Sequence, residues 1–469
     1  MRNRCPVRTP APSRSAWRVA RAVALPVQLV ALVLPCAGAE DAASERLPWQ
    51  TTMSSGVSFR TADADLQNVF DAAEKKLAGN IVPLSPGIQV LTEGGGYPPG
   101  AWLESQPMGG EMYAKRDPQI ALNNQMVFLL AQRADGRMPA KLIPAEGAAA
   151  AKWLFARLRD VPEAVRSMPE YAMVAHYAVL QGYCFPHPAW KTYFWTGKNR
   201  DYLQRLYRAL EAHDAYLWRT RDSNGDGVLE TWCVWDTGED KGSRLLTRGA
   251  PSMWPFDQPP LAPGMPDPQD PESVKRFWIE RGLQKLPPPK LAEVRVPLAS
   301  MDVMGYSYDG RTTLAKIARE LGNGREDYWR REAEEVRRRI IKSLWVPARQ
   351  ACFDRDREGH ILPELIHNNL RVMQHGAYTQ EMADQFIRQH LLNPAEFWTP
   401  IPLPSIAANE SLYANEPGNS WSGQPQGLTY QRAIRALENY GHYAELSLLG
   451  TKYLEVLRSE EHTSELQSH

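Results

Sequence analysis

Amphipathic helical patterns recur along most of the chain. Segment 201–219 places arginine and glutamate on one helical face and apolar residues on the other, namely Leu203, Leu206, Tyr207, Leu210 and Leu217. Segments 312–321 and 326–345 repeat this spacing, and Gly322 is a typical helix stop after the first of them. The same pattern predicts further helices near 63–78, 117–133, 146–158, 169–181, 377–391, 426–440 and 442–457.

Strand patterns are few and short, with candidates only at 227–235 and 293–298. Successive amphipathic helices joined by long loops predict an all-α fold, an (α/α)6 barrel in which outer helices surround an inner ring. A helical-repeat solenoid is the alternative, but no fixed-period repeat is visible. Residues 248–300 hold 12 of the 38 prolines. Because this stretch also carries Trp254 and Phe256, a loop packed over one mouth of the barrel is favoured over an interdomain linker.

The N-terminus has the features of a secretory signal. Arginines in the first 21 residues precede the apolar run AVALPVQLVALVLP, and the small residues Ala37-Gly38-Ala39 follow. We therefore expect residues 1–39 to be a signal peptide and the protein to be periplasmic or extracellular. A lipoprotein anchored through Cys36 is a weaker alternative, because Pro35 stands where a small residue is preferred. Residues 40–84 are interpreted as a lead-in segment and 85–457 as the barrel domain.

The last twelve residues, RSEEHTSELQSH, reverse-translate into a common sequencing-library adapter. We therefore expect 458–469 to be non-native and the natural protein to continue beyond Leu457. The barrel is accordingly expected to be incomplete at its C-terminal end.

Charge and cysteine content exclude several classes of protein. The chain has a formal net charge of zero, and removal of the arginine-rich leader makes it mildly acidic. Since no basic stripe remains, nucleic acid is not an expected partner, and no membrane association is expected after signal cleavage. The cysteines of the mature chain, Cys184, Cys233 and Cys352, are odd in number and widely spaced, so no disulfide framework is predicted.

Motifs for metal and serine chemistry are weak. Asp222, Asn224 and Asp226 have the spacing of a calcium loop, but Cys233 stands where a bidentate glutamate is needed. A tight turn is favoured over a structural calcium site, and no cofactor is expected to be required. GNSWSG at 418–423 lacks the second glycine of a nucleophile elbow, and no zinc-type histidine pattern occurs.

The segment WDTGEDKGSR at 235–244 resembles the general-acid segment of (α/α)6-barrel glycosidases in glycoside hydrolase families 37 and 63. These families include trehalases, processing α-glucosidases and mannosylglycerate hydrolases, and their segment reads approximately E-S-G-x-D-x-x-x-R. Asp236, Gly238, Asp240 and Arg244 fall on its defined positions, with Thr237 in place of serine. The resemblance implies that Asp240 is the general acid and that Arg244 contacts the substrate.

Other segments resemble the same families in the same order along the chain. Residues 111–142 resemble the early barrel helix with its substrate-binding loop, 221–230 the run before the acid, and 419–441 the segment with a sugar-lining tryptophan. The residues expected to bind substrate are Glu111, Tyr113, Trp232, Trp235, Asp236, Glu239, Trp421 and Gln424. For Asp236, a role in bracing the loop is favoured over direct catalysis. Glu239 and Lys241 flank the acid where better-known members carry neutral residues, and residues 106–117 differ from the aromatic loop of trehalases, so trehalose is not the expected substrate.

The expected reaction is inverting hydrolysis of α-linked glucosyl or mannosyl units by an exported enzyme. Inversion needs a protonated carboxyl and an ionised carboxylate about 6.5–9.5 Å apart. The resemblance implies a base after the helix that matches 428–440, beyond Leu457, and the context of Glu410 and Glu416 does not match its motif. No base is assigned, and the chain as given is expected to show little activity. A phosphorylase or lyase on the same barrel, and a glycan-binding helical protein without catalysis, remain alternatives.

Overall fold

The computed structural model describes residues 49–94, 100–148, 165–239, 254, 256–260, 262–265, 271–280, 296–414 and 421–467. All of them belong to one compact unit that begins at Arg46. The predicted signal peptide lies outside the described residues, as does much of the proline-rich stretch.

Helices account for most of the regular structure. In chain order the α-helices are α1 (Ala64–Gly79), α2 (Gln106–Tyr113), α3 (Pro118–Leu130), α4 (Ala145–Ala148), α5 (Pro186–Trp195), α6 (Arg200–Thr220), α7 (Pro271–Glu280), α8 (Met301–Leu321), α9 (Glu326–Ser343), α10 (Asn368–Gln374), α11 (Gln380–Phe386), α12 (Gly427–Asn439) and α13 (Tyr443–Gln467). A π-helical turn, Ile387–Leu391, extends α11.

Short strands lie in the segments between the helices. They are β1 (Ile81–Ser85), β2 (Ile88–Leu91), β3 (Ala101–Trp102), β4 (Lys141–Pro144), β5 (Val165–Met168), β6 (Met173–His176), β7 (Glu230–Thr231), β8 (Leu298–Ala299), β9 (Trp345–Val346) and β10 (Ala351–Cys352). Strands β3, β4, β6 and β5 form an antiparallel sheet in that order, and the others pair as β1–β2, β7–β8 and β9–β10.

Five helices of the described chain form an inner ring. Helix α2 packs against α5, α5 against α8, α8 against α10, and α10 against α12, while α3, α6, α9 and α13 pack outside them. Every residue of α10 is buried, as are the first eleven residues of α8, Met301–Arg311. The predicted helical barrel of the (α/α)6 type, with a few short strands in its loops, is confirmed.

The outer helices form where the apolar spacing predicts them. In α6, Leu203, Leu206 and Leu210 are buried in the main core, and Asn199 caps the helix through hydrogen bonds from Asp201 and Tyr202 N–H. Helix α8 ends at Gly322, whose φ of +65° suits a glycine stop. The long amphipathic helices were predicted correctly because one face of each is buried against the inner ring.

Two local predictions differ from the structure, and a third falls mostly outside the described residues. The predicted helix 169–181 is wrong, because Pro169–Tyr171 forms a 3-10 turn and β6 then pairs with β4 and β5. The predicted strand 227–235 is reduced to β7, followed by a 3-10 turn at Val234–Asp236. Of the predicted helix 146–158, only its start in α4 falls within the described residues.

In the part of the chain that the structure describes, no helix combines the length and the apolar character required to span a bilayer.

Candidate active site

Residues in or just before the N-terminal halves of four inner helices, α2, α8, α10 and α12, meet in one buried polar cluster. Arg432 of α12 donates to Glu104, which precedes α2, over 2.7 Å. Asn368 at the start of α10 donates to both carboxylate oxygens of Asp302 in the first turn of α8, over 3.1 Å. The cluster therefore lies at one end of the inner ring, where loops from several helix pairs meet.

The segment 236–239 crosses this cluster, and its first residue, Asp236, anchors it. The carboxylate of Asp236 is completely buried and accepts from the Arg221 guanidinium at 2.6 Å. It also accepts from the backbone N–H groups of Leu180 and Trp232, each at 2.8 Å. Because its oxygens are occupied by protein donors, Asp236 braces the loop in this arrangement and leaves little capacity to bind a sugar hydroxyl.

Thr237 and Gly238 lie against Arg371 of α10 and against Glu104, which precedes α2. Arg371 of α10 donates to the carbonyl oxygen of Thr237. Gly238 has φ +73°, and a Cβ at this position would collide with the carboxylate of Glu104. Glycine is required here for both reasons, since the backbone must approach Glu104 closely in a left-handed conformation.

Glu239 is bonded to a histidine on the segment that enters α10. Its carboxylate accepts from His367 Nε2 at 2.9 Å and from Thr237 Oγ1 at 2.8 Å. Burial lowers the pKa of His367 to about 4 despite the neighbouring Glu239 carboxylate, so the imidazole is neutral near pH 7. Its Nδ1 then accepts from Thr429 Oγ1 at 3.1 Å. This relay fixes the residue that directly precedes Asp240.

Glu104 carries the most strongly perturbed carboxyl of the cluster. Burial raises the pKa of Glu104 to about 7, although the Arg432 and Arg371 charges act in the opposite direction. A carboxyl in this condition exchanges its proton near neutral pH. Perturbed titration in a polar cluster at a barrel mouth is typical of functional sites.

Of the three predicted tryptophans, Trp232 and Trp421 are buried and Trp235 is half-buried. Trp232 is completely buried, with the Arg221 guanidinium 3.9 Å from its ring centroid and its Nε1 donating to Glu230. It therefore presents no open face to a pyranose, contrary to the expectation from sequence. Trp421 is 5% exposed and lies against His367, with ring centroids 5.6 Å apart. Trp235 is half-buried between two small apolar clusters.

Three other predicted substrate-binding residues lie at different places. Glu111 and Tyr113 occupy the last turn of α2, at the opposite end from Glu104, and Tyr113 is buried with Leu91 and Ile120. The structure does not bring this pair into the cluster. Gln424 is half-buried just before α12, and its carbonyl oxygen accepts from Ser405 Oγ at 3.1 Å.

Asp240, Arg244 and Glu416 lie outside the described residues. Glu410 is described, and its carboxylate accepts from Leu365 N–H at 2.8 Å and from Arg349 at 3.4 Å. These contacts brace a loop.

The candidate calcium loop forms a turn with its own hydrogen bonds. Asp222 Oδ1 accepts from Gly227 N–H, and Asn224 bonds through its side chain to Asp226. Among the described residues, the group with metal-ligand geometry is Asp356, Glu358 and His360. Asp356 is half-buried, and the other two are exposed. The structure thus describes the tight turn that the sequence favours, and a structural calcium ion at this loop stays the weaker alternative.

Several central residues were missed by sequence reasoning, namely Glu104, Arg221, His367, Arg371 and Arg432. Arg432 carried a usable signal, because it falls on the buried stripe of α12 with Thr429, Ala433 and Ala436. A charged residue on such a stripe requires a buried partner. The others lie in segments whose local pattern shows no role.

Comparisons with known proteins agree with this architecture. The sequence profile of the mannosylglycerate hydrolase MGH1-like glycoside hydrolase domain matches residues 111–466. The crystal structure of a GH63 mannosylglycerate hydrolase from Thermus thermophilus in complex with glucose is similar with a TM-score of 0.59 and 14% identity, covering 83% of this chain and 91% of that one.

Two further solved structures share the fold. A GH63 mannosylglycerate hydrolase from Thermus thermophilus in complex with Tris and D-glycerate has a TM-score of 0.52 and 15% identity, covering 82% of this chain and 90% of that one. A sialidase has a TM-score of 0.53 and 10% identity, covering 87% of this chain and 32% of that one. No protein of curated function matches the sequence.

Proposed function

Since the chain belongs to the family of the mannosylglycerate hydrolase MGH1-like glycoside hydrolase domain, we propose that it is an exported inverting glycosidase. It is proposed to cleave α-linked glucosyl or mannosyl units of an oligosaccharide or glycoside.

The observation that carries this proposal is the anchoring of Glu239. This residue is buried and bonded to His367 where the inner helix ends converge. Asp240 follows it directly, and consecutive Cα atoms are about 3.8 Å apart. Because Asp240 is covalently bonded to a residue held in the polar cluster, we propose that its carboxyl acts there. This is where an acid that protonates a leaving oxygen is needed.

The electrostatics around the loop suit a proton-loaded carboxyl. Of the neighbouring acids, Asp236 is neutralised by Arg221, whereas Glu239 accepts from a neutral histidine and lies 3.6 Å from the Arg371 guanidinium. Because Arg371 is shared with Asp302, we propose that part of the Glu239 charge remains to favour the protonated form of Asp240. Arg244 is proposed to orient the substrate through its guanidinium.

We propose that the catalytic base is not one of the carboxylates of this cluster. In the cluster, Glu104 accepts from Arg432 and Asp302 from Asn368, so both are committed to protein donors. We assign no base, and we propose that the 469-residue chain turns over slowly if at all. Turnover at rates normal for glycosidases that is lost in Glu410→Gln or Glu416→Gln would overturn this part of the proposal.

The test compares wild type and Asp240→Asn on panels of α-glucosides and α-mannosides, with Asp327→Asn on α9 as a control outside the polar cluster. Residual hydrolysis is expected to vanish in Asp240→Asn only, and proton NMR should detect the inverted anomer first. Retained activity in Asp240→Asn refutes the assignment of the acid. Products that require phosphate would indicate a phosphorylase, and unsaturated products a lyase. Glycan binding without any turnover, unchanged by Asp240→Asn, would indicate a binding protein.

Export is tested separately by expressing the chain with residues 1–39 in a Gram-negative host. N-terminal sequencing of the periplasmic or secreted protein should show cleavage after Ala39.

A further inference from the structure

His442 lies in the turn between α12 and α13, and its ring contacts a carboxylate through each nitrogen. Its Nε2 is 2.9 Å from Asp384 Oδ1 on α11, and its Nδ1 is 3.2 Å from Glu445 Oε2 in the first turn of α13. The side chain of His442 is 17% exposed, so the ring is shielded but can still exchange protons with solvent. One imidazole thus joins α11 to α13.

Asp384 and Glu445 are the charged side chains that contact this ring among the residues that the structure describes. The contact from α12 is made by its backbone, because the Leu437 carbonyl oxygen accepts from His442 N–H at 3.0 Å. Arg388, in the π-helical turn that extends α11, acts on Asp384. The ring therefore has a negative group next to each of its nitrogens.

Two carboxylates around one imidazole require two ring protons. A carboxylate only accepts hydrogen bonds, whereas a neutral imidazole has one N–H and one bare nitrogen. A neutral His442 could donate to one carboxylate, and its bare nitrogen would then face the other. The imidazolium donates to both and gains the strength of charge-assisted hydrogen bonds. The His442 clamp, formed by Asp384, His442 and Glu445, is therefore complete only while the ring carries two protons.

The clamp has an acid limit and an alkaline limit. The hydrogen bond from His442 lowers the pKa of Asp384 below its usual value. Because a lowered carboxyl pKa stabilises the fold above the ordinary pKa of aspartate, this contribution is lost only as pH falls into the acid range. A proton bound in the folded clamp has the opposite sign, since its contribution is present at low pH and is lost as pH rises. Histidine side chains ordinarily change charge between about pH 5 and 8.

Helix α13, which the clamp attaches, buries little of its surface. Of its side chains that the structure describes, only Leu449 is buried. Tyr453 stacks on Tyr430 of α12, with ring centroids 3.9 Å apart. Elements with few buried apolar contacts open locally at a low cost in free energy. A change in the clamp should therefore be detected first in α13.

We propose that the His442 clamp is a pH-dependent switch that holds α13 against α11 while the ring is doubly protonated and lets α13 open as the ring loses a proton. Helix α12, in the same hairpin, carries Arg432 and Thr429 into the polar cluster. The switch therefore acts on the hairpin that supplies two members of that cluster. The proposed export would expose the clamp to the pH of the surroundings. The inference does not depend on which reaction the protein catalyses.

The test follows the opening of α13 by hydrogen–deuterium exchange and mass spectrometry. The full chain is labelled at several pH values between about 5 and 9. Exchange in residues 443–457, corrected for its intrinsic rate, is divided by that in α6. We expect this ratio to rise about three- to tenfold toward alkaline pH, as for the loss of a partly exposed, charged hydrogen bond. A ratio that does not change with pH overturns the proposal.

Variants assign the rise to the ring. In His442→Gln, α13 should open readily at every pH, without the alkaline rise. In Glu445→Gln the rise should also vanish, because an amide can donate to the bare Nδ1 of a neutral ring. The control is His360→Gln, which should match wild type, since His360 is 79% exposed and pairs with Asp356 within one turn.

Either clamp variant can refute the switch. A rise in His442→Gln as steep as that in wild type does so. If His442→Gln does not fold, an unchanged rise in Glu445→Gln does so instead, because this variant keeps the ring and changes one carboxylate to an amide of the same shape. A rise that His360→Gln also abolishes would show a general response to pH and would contradict the clamp.

Discussion

Replacement of Arg221 by methionine should be among the most destabilising changes in the described chain. The side chains of Arg221 and Asp236 are both completely buried. The substitution removes two guanidinium donors, at 2.6 and 3.3 Å, and leaves the Asp236 carboxylate with the backbone N–H groups of Leu180 and Trp232. It also removes the guanidinium from the face of the Trp232 ring.

The expected magnitude follows from leaving one charge of a buried pair uncompensated. Breaking such a pair costs about 3–5 kcal/mol. With an unfolding entropy of roughly 2.1 cal/mol/K per residue, a loss of about 4 kcal/mol lowers the Tm of a domain of about 420 residues by about 4–5 °C. The free energy of unfolding is measured by urea denaturation, and Tm by calorimetry.

Two further variants isolate the electrostatic cause. Arg330→Met removes an arginine that is 59% exposed and paired with Glu326 on α9, and should cost less than about 1 kcal/mol. The double variant Arg221→Met/Asp236→Asn removes both charges and should recover at least half of the loss of Arg221→Met. If Arg221→Met is no more destabilising than Arg330→Met, the interpretation of Asp236 as a buried anchor is refuted.

Three more predictions concern pH, backbone conformation and the acid. Burial raises the pKa of Glu104 from 4.5 to about 7, so the contribution of Glu104 to stability is complete below pH 4.5 and is lost as pH rises through 7. The difference in unfolding free energy between wild type and Glu104→Gln should therefore fall by about 3 kcal/mol over that range. A constant difference contradicts the assignment. Gly136→Ala should destabilise the protein by about 2 kcal/mol more than Gly225→Ala, as measured by urea denaturation. Both glycines have a positive φ, but only at Gly136 would an added Cβ collide with the backbone of Ala212. Equal losses of stability would show that φ alone matters. In any active preparation, Glu239→Gln should move the basic limb of the kcat/KM profile to lower pH, because it removes the like charge beside Asp240; an unmoved limb contradicts the role given to Glu239.

The outer helices of the barrel were predictable because their periodicity is a local property. Helices α6 and α9 bury one face and expose the other, so apolar residues recur every three or four positions. Helix α10 and the first half of α8 are buried on every side, so no polar face marks their period. These inner elements were missed for that reason, and they are the elements that carry the site.

The amino-acid sequence by itself determined the helical class, the family resemblance and the loop that holds the proposed acid, because each depends on residues that are close together in the sequence. Only the tertiary structure decided how that loop is fixed. Its partners stand far away in sequence, with His367 128 positions from Glu239 and Arg432 328 positions from Glu104. Which helix ends meet depends on how the ring packs, and the complete burial of Trp232 follows from that packing. The local spacing of residues in the sequence does not determine which helix ends meet.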